Sequence, residues 1–280
     1  MYSKIICPID FSKASFNAAE YAAKLAQAFW CELLLLHVEK THPVFFSASY
    51  DVNPLDTPEQ RAMNDAARLQ KISDDISKKF HITATYEVTI SGRRLVKSLS
   101  GGSERAHLFV MGTRGAENIF EHLLGTRSYR LAREVNSTIL IVPEGLAYNT
   151  VEKILVIITD KNASGLELEK LDIYLSKFHT HITFLNTGGV DTYETCRKQV
   201  NEFYKQRLID IDFWNKHNSQ VISVLNELAG DNQFDLIVMQ EPELTFTGKL
   251  FFGDPVKKIS GVIKTPLLVI HSSPLKISEN

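Results

Sequence analysis

Three cysteines in 280 residues, Cys7, Cys31 and Cys196, are too few and too scattered for a disulfide framework. No Cys-x-x-Cys and no Cys/His pair at metal-ligand spacing occurs. The expectation is buried or idle thiols in a reducing compartment. An excess of one charge is lacking too: 31 Lys and Arg face 33 Asp and Glu, so the formal net charge is 31 − 33 = −2. That balance recommends neither nucleic acid nor a cationic partner. Long apolar runs are absent. The run Leu33-Leu34-Leu35-Leu36 has strand length, against the roughly 20 residues a membrane span needs. The apolar stretch at the N-terminus meets Asp10 at once, which is too short for a signal core. The chain is expected to be soluble and cytoplasmic, with no nucleic-acid or membrane partner. It also lacks the G-x-x-x-x-G-K-[ST] phosphate loop and the G-x-G-x-x-G dinucleotide fingerprint.

What is present is a globular balance, 44% hydrophobic and 23% charged, which excludes a mainly disordered chain. At roughly 100–200 residues per domain, 280 residues suggest two domains or one large one. The first half alternates short apolar runs with amphipathic ones. Lys4–Ile9 reads as a strand, and Ser12 as the cap of a helix over Lys13–Phe29, whose apolar residues fall at helical spacing. Leu33–Val38 is a continuous apolar run, as for a strand covered on both faces. A loop at His42–Asp56 precedes Thr57-Pro58-Glu59, a helix start, with the helix continuing to about Lys79. Strands come next at Thr83–Ile90, Leu108–Met111 and Thr138–Val142, with helices at Leu95–Leu99 and Thr126–Val135 between them. The β-α alternation argues for a parallel sheet with helices on both faces.

The second half repeats the scheme after Glu144–Thr150, which reads as a linker. Strands are expected at Lys153–Ile158, His181–Asn186, Leu208–Phe213, Leu236–Met239 and Leu267–Ile270. Helices are expected at Gly165–Phe178, Thr192–Lys205, Ser219–Leu228 and Pro255–Ile263. Two offsets relate the halves. Lys4-Ile5-Ile6 lies over Lys153-Ile154-Leu155, at 153 − 4 = 149. Ala106–Met111 lies over Phe234–Met239, at 234 − 106 = 128, and Ile139–Val142 over Leu267–Ile270 at the same offset. A repeat this long is a domain duplication rather than a solenoid.

The chemistry concentrates after the fourth strand. Met111-Gly112-Thr113-Arg114-Gly115 is succeeded nine residues later by Gly125-Thr126 and a helix, a G-x2-G-x9-G-T pattern. Glycines let backbone N–H groups approach an anion, and a helix start presents unpaired N–H groups and its positive dipole end. The Thr126 hydroxyl can donate as well, and Arg114 and Arg127 can add charge-assisted contacts. A phosphate site fits this spacing, although glycines also end strands in ordinary βα loops. In an open α/β sheet such a site belongs at the carboxyl ends of the strands, where the strand order reverses.

Taken with Ile5-Ile6-Cys7-Pro8-Ile9-Asp10-Phe11-Ser12, Val110–Gly115, Gly125-Thr126 and Thr138–Pro143, the chain resembles a tandem universal stress protein of the UspA-like family, ATP-binding branch in its first domain. The resemblance implies two tandem five-stranded parallel-sheet domains of the adenine nucleotide α-hydrolase-like, Rossmann-like group, over residues 1–145 and 151–274, with strand order 3-2-1-4-5. It also implies ATP, ADP or AMP as ligand, with Mg2+ accompanying the nucleotide. Pro8, Ile9 and Asp10 would lie against adenine and ribose, and the backbone at His37 and Val38 would edge the adenine. Met111 and Gly112 would contact ribose. Arg114, Gly115, Gly125, Thr126 and Arg127 would line the phosphates. Asp10 as a turn or cap residue, His37 as a ring bonded to backbone, and Arg127 as a solvated helix residue remain open alternatives.

The second half departs from this pattern. At the same offset Gly112 becomes Gln240, Gly115 becomes Glu243 and Thr126 becomes Asp254, while Asp10 falls on Thr159 with Asp160 one place along. A phosphate site is not expected there. The aromatics of Thr245–Phe252 suit core packing, a groove cover or a protein contact. The implied function is stress-response sensing or adaptor action through a bound adenine nucleotide and a protein partner still unnamed. Slow ATP hydrolysis and a nucleotide-free interaction module are the alternatives. Last strands of the two halves are expected to pair within one chain as a pseudo-dimer, with homodimer formation left open. A nucleotidylyltransferase would need a His-x-x-His motif, which the chain lacks, and an ATP pyrophosphatase would need a Ser-Gly-Gly-x-Asp loop after the first strand, which is also missing.

Gly115→Glu tests the motif, because it copies the residue that the second half carries. Loss of two contacts worth about 1.5 kcal/mol each corresponds to roughly a hundredfold weaker binding. Equilibrium dialysis with labelled ATP should show that loss, and unchanged affinity in a folded variant would remove Gly115 from the site.

Overall fold

The computed structural model describes residues 2–38, 57–89, 107–113, 137–160, 165–175, 178, 180–217, 219, 221–228, 233–241 and 265–271. The helices expected at Leu95–Leu99, Thr126–Val135 and Pro255–Ile263 lie outside these residues, as do the His42–Asp56 loop and the run Thr245–Phe252. Ten strands form one sheet: β1 (Lys4–Pro8), β2 (Glu32–Val38), β3 (Ala84–Thr89), β4 (His107–Thr113), β5 (Thr138–Pro143), β6 (Lys153–Ile158), β7 (His181–Asn186), β8 (Asp210–Asn215), β9 (Leu236–Glu241) and β10 (Leu267–His271). The described helices are α1 (Lys13–Phe29), α2 (Pro58–Phe80), α3 (Leu168–Leu175), α4 (Val190–Phe203) and α5 (Val221–Leu228).

The sheet order is β3-β2-β1-β4-β5-β10-β9-β6-β7-β8. Each set of five strands thus has the order 3-2-1-4-5, and the two sets meet back to back. Pairing is parallel throughout except at the middle, where β5 and β10 run antiparallel with Leu268 opposite Leu140 and Val269 opposite Ile139. The ladders reproduce both sequence offsets. Ile5 pairs with Leu33 and Leu108, while Ile154 pairs with Ile182 and Leu236, giving 154 − 5 = 149, 182 − 33 = 149 and 236 − 108 = 128. Phe109 opposite Ile139 and Ile237 opposite Leu267 give 128 again.

Burial explains the strand compositions. β5 is buried at every position, as is β10, which their unbroken apolar runs require. One face of the sheet carries a core that runs without a break from Ile5, Leu25 and Phe29 to Tyr174, Phe184 and Ile270. The other face carries Ile6, Leu36, Phe109 and Met111 together with Leu155, Leu185 and Val224. On the first face an aromatic seam joins α1 to α3. Phe29 sits edge-on to Tyr2 at 5.2 Å between centroids and tilts against Tyr174 at 5.7 Å. Residues 144–150 lie against α1: Asn17 Nδ2 donates to the carbonyls of Pro143 and Leu146, and Tyr148 meets Tyr21 edge-on at 5.1 Å.

Helix ends obey local chemistry. Ser12 caps α1 by accepting from the Ser15 N–H, and Thr57 caps α2 by accepting from the Gln60 N–H, with Pro58 beginning that helix. Two elements shift from their expected bounds. α3 begins at Leu168 rather than Gly165, because the side chain of Gln240 takes the Gly165 carbonyl and the Glu167 N–H. β8 begins at Asp210 rather than Leu208. The alternation that packs against the core is Ile209, Ile211 and Phe213, and Leu208 is left fully exposed.

One close approach sets the seat of α1 on β4. A Cβ at Gly112 would fall 2.1 Å from the Ala14 carbonyl oxygen and 2.5 Å from its carbon. Only a residue without a side chain lets the first turn of α1 rest on the end of β4. Gly112→Ala should destabilise the fold by about 2 kcal/mol or more, as overpacking against backbone does. Urea denaturation would show this as a lower midpoint; an unchanged midpoint would contradict the contact.

At the β8 edge, His181 Nδ1 lies 2.8 Å from Asp210 and Nε2 lies 3.1 Å from Asp212. The hydrogen bond to Asp210 leads the influences that raise the His181 pKa above its ordinary 6.5. The stabilisation is therefore complete below pH 6.5 and is lost as pH rises through the folded-state value. The stability gap between the wild type and His181→Asn should be widest at acid pH and should narrow above neutrality. A gap that widens with pH would refute the assignment.

Candidate functional site

β1 lies between β2 and β4, so the chain leaves β1 towards one side and returns on the other. Such a reversal opens a crevice at the carboxyl ends of the two middle strands. The residues there are Pro8, Ile9 and Asp10 from β1 and its exit, and Met111 and Gly112 from β4. Ile9 is buried and donates its N–H to the Leu36 carbonyl at 2.8 Å. Asp10 is exposed, and its Oδ1 accepts from the Ser12 N–H at 3.0 Å and from the Ser12 hydroxyl at 2.5 Å. Asp10 thus shapes the turn into α1 while presenting a carboxylate at the crevice. Met111 is buried on the sheet face opposite α1, and Gly112 brings the turn Ser12–Ser15 over the end of β4.

One strand further out are His37 and Val38. The His37 ring is bonded to backbone, one of the alternatives open from sequence: Nδ1 donates to the Ile9 carbonyl at 2.6 Å. Its Nε2 lies 3.4 Å from Asp65 Oδ2 on α2. Val38 is half-buried against the sheet face that carries Met111. Arg114, Gly115, Gly125, Thr126 and Arg127 lie outside the described residues.

Three further side chains converge here to which the sequence reading gives no role in the site. Phe11 has φ 61, in the left-handed region that bulky residues rarely adopt. Its ring tilts against His37 at 5.0 Å between centroids, and the Arg68 guanidinium stands over it at 4.0 Å. Arg68 Nη1 is 3.7 Å from Asp65 Oδ1. The signal present in the sequence is the i, i+3 pairing of Asp65 and Arg68 on a helix whose buried side is Leu69 and Ile76. Nothing in that spacing names the strand ends as their target.

The corresponding end of the second half is built differently. Gln240 stands where β4 has Gly112, and its Oε1 accepts from the Glu167 N–H at 2.9 Å while Nε2 donates to the Gly165 carbonyl at 2.5 Å. Asn186, the counterpart of His37, donates to the Gly189 carbonyl at 3.1 Å and accepts from the Gly188 N–H at 3.1 Å. Asp160 accepts from the Thr192 hydroxyl and from the Gly189 N–H at the start of α4. These bonds, the Thr192 hydroxyl first, hold the Asp160 carboxyl below its ordinary range. A carboxylate of the chain itself therefore occupies the positive end of α4.

The three thiols are held in their neutral form. Burial pushes the Cys31 thiol up to about 11 and Cys196 up to about 12, and raises Cys7 further. Among the described residues no group of three or more His, Cys, Asp or Glu side chains could hold a metal ion. No described helix is long and apolar enough to cross a membrane.

The model of the universal stress protein family matches residues 1–143. No curated protein sequence matches the chain. Among solved structures, a universal stress protein from Archaeoglobus fulgidus DSM 4304 is similar at a TM-score of 0.63 and 16% identity, with 96% of each chain covered. A functionally unknown protein from Pseudomonas aeruginosa PAO1 is similar at a TM-score of 0.51 and 12% identity, over 97% of this chain and 93% of that one. At these identities the structural likeness shows the fold, a doubly wound α/β sheet. The family rests on the match over residues 1–143, just over half of the 280: the chain belongs to the universal stress protein family.

Proposed function

We propose that the chain binds one adenine nucleotide, ATP, ADP or AMP, and couples its occupancy to a protein partner as a stress-response sensor or adaptor. The site is the crevice at the ends of β1 and β4, in a first domain over residues 1–145. The base and ribose lie against Pro8, Ile9, Asp10 and Met111, beside the strand end at His37 and Val38. Gly112, Arg114, Gly115, Gly125, Thr126 and Arg127 serve the sugar and phosphates. A second domain over residues 151–274 acts as docking or regulatory partner, and the two domains make an intrachain pseudo-dimer.

The observation that carries this reading is the contrast at one register position. Near the end of β4, Gly112 has no side chain, and the first turn of α1 rests on its backbone at the rim of the crevice. At the same position β9 has Gln240, whose amide is tied into its own half by two hydrogen bonds. Asp160 already supplies an anion at the neighbouring helix start. A phosphate brought to the α4 side of that crevice would meet a carboxylate at close range and be repelled by it.

Binding rather than turnover is the role in this reading, with slow hydrolysis incidental. Titration calorimetry of the full chain with ATP should give one site. Gly115→Glu should weaken that one site roughly a hundredfold and uncover no other. Two equivalent sites would refute the asymmetry, and no binding by the unaltered protein would favour a nucleotide-free interaction module.

A further inference from the structure

The strained turn after β1 is held from outside, by α2. Phe11 keeps φ 61 at a cost that the surrounding contacts must offset. Two contacts are in place: the His37 ring, tilted at 5.0 Å between centroids, and the Arg68 guanidinium, 4.0 Å from the ring centroid. Asp65 ties the two together, at 3.4 Å from His37 Nε2 and 3.7 Å from Arg68 Nη1. His37 closes the circle by donating to the carbonyl of Ile9, two residues before Phe11. The circle spans β1, β2 and α2, and it encloses the backbone that carries Ile9 and Asp10.

We propose that Phe11, Asp65 and Arg68 form a clamp that positions Ile9 and Asp10 for the nucleoside part of the ligand. The inference rests on the nucleotide reading above and adds residues from α2 to it. The side chains act through the backbone of the turn. If the guanidinium leaves the ring, Phe11 is free to relax to negative φ, and the Asp10 carboxylate swings with it. The phosphate end of the ligand lies on the β4 side of the crevice, away from α2, so it does not depend on the clamp. The clamp therefore sets selectivity for a nucleoside over a bare polyphosphate, and it is a set of positioning residues rather than catalytic ones.

The test compares ATP with inorganic tripolyphosphate, which has no base or sugar, on the full chain. Arg68→Ala should weaken ATP binding about two- to fivefold, the size of an exposed cation–ring contact, and leave tripolyphosphate affinity unchanged. Arg68→Lys keeps the charge near Asp65 but loses the flat stack, and should fall between. Phe11→Ala removes the ring itself and should give the same split, which serves if Arg68→Ala fails to fold. Equal loss for both ligands would make the clamp a general structural element and overturn the proposal. Unchanged ATP affinity in both folded variants would also overturn it while leaving the nucleotide reading intact. Failure of the unaltered chain to bind ATP would overturn the nucleotide reading, and the clamp with it.

Discussion

The antiparallel pairing of β5 with β10 is the contact on which the rest of the molecule leans. Each is an apolar strand buried along its whole length, and either would be an exposed edge without the other. Joining Leu140 to Leu268 and Ile139 to Val269 turns two sets of five strands into one sheet. The join also lets a single core run from α1 to α3, with Phe29 and Tyr174 in contact across it. The sheet then ends at β3 and β8, strands with exposed polar residues that suit an edge.

Within that near-symmetric frame the two ends of the repeat have opposite characters. The ladder registers coincide strand by strand, yet the last residue but one of the fourth strand is Gly112 in one half and Gln240 in the other. The glycine lets α1 begin early and sit down on the sheet. The glutamine makes α3 begin late, by satisfying with its own amide the groups that a first helical turn would use. A single position thus decides whether the first helix of a half seats its opening turn on the fourth strand or is held off it by a side-chain amide. The universal stress protein family membership of the chain gives the frame, and this contrast gives the frame a direction.

Much of the frame is legible in the sequence. The apolar spacing in Lys13–Phe29 and the Ser12 cap lie within one stretch of chain, and α1 has the bounds read from them. Strand-length apolar runs do the same for β6 and β7. The start of β8 is misleading in sequence because Leu208 extends an apolar run without joining its alternation, and only packing against the core tells these apart. The delayed start of α3 is not legible, because its cause, Gln240, lies far along the chain. The strand ends of the candidate site are legible, since a glycine after a buried strand and an Asp before a cap are local signals. Phe11, Asp65 and Arg68 are not: α2 is separated from Phe11 in sequence, and its spacing shows only which residues share a face.

By itself the sequence determined the alternation of strands and helices, the duplication and the loss of glycine in the second copy. Each of these comes from periodicity, backbone freedom and spacing along one chain. Tertiary structure alone decided the antiparallel register in which β5 met β10, and that a cation on α2 would stand over the ring of Phe11. Those choices belong to burial and to the satisfaction of backbone groups across distant segments, where the position of one residue depends on all the surfaces packed around it.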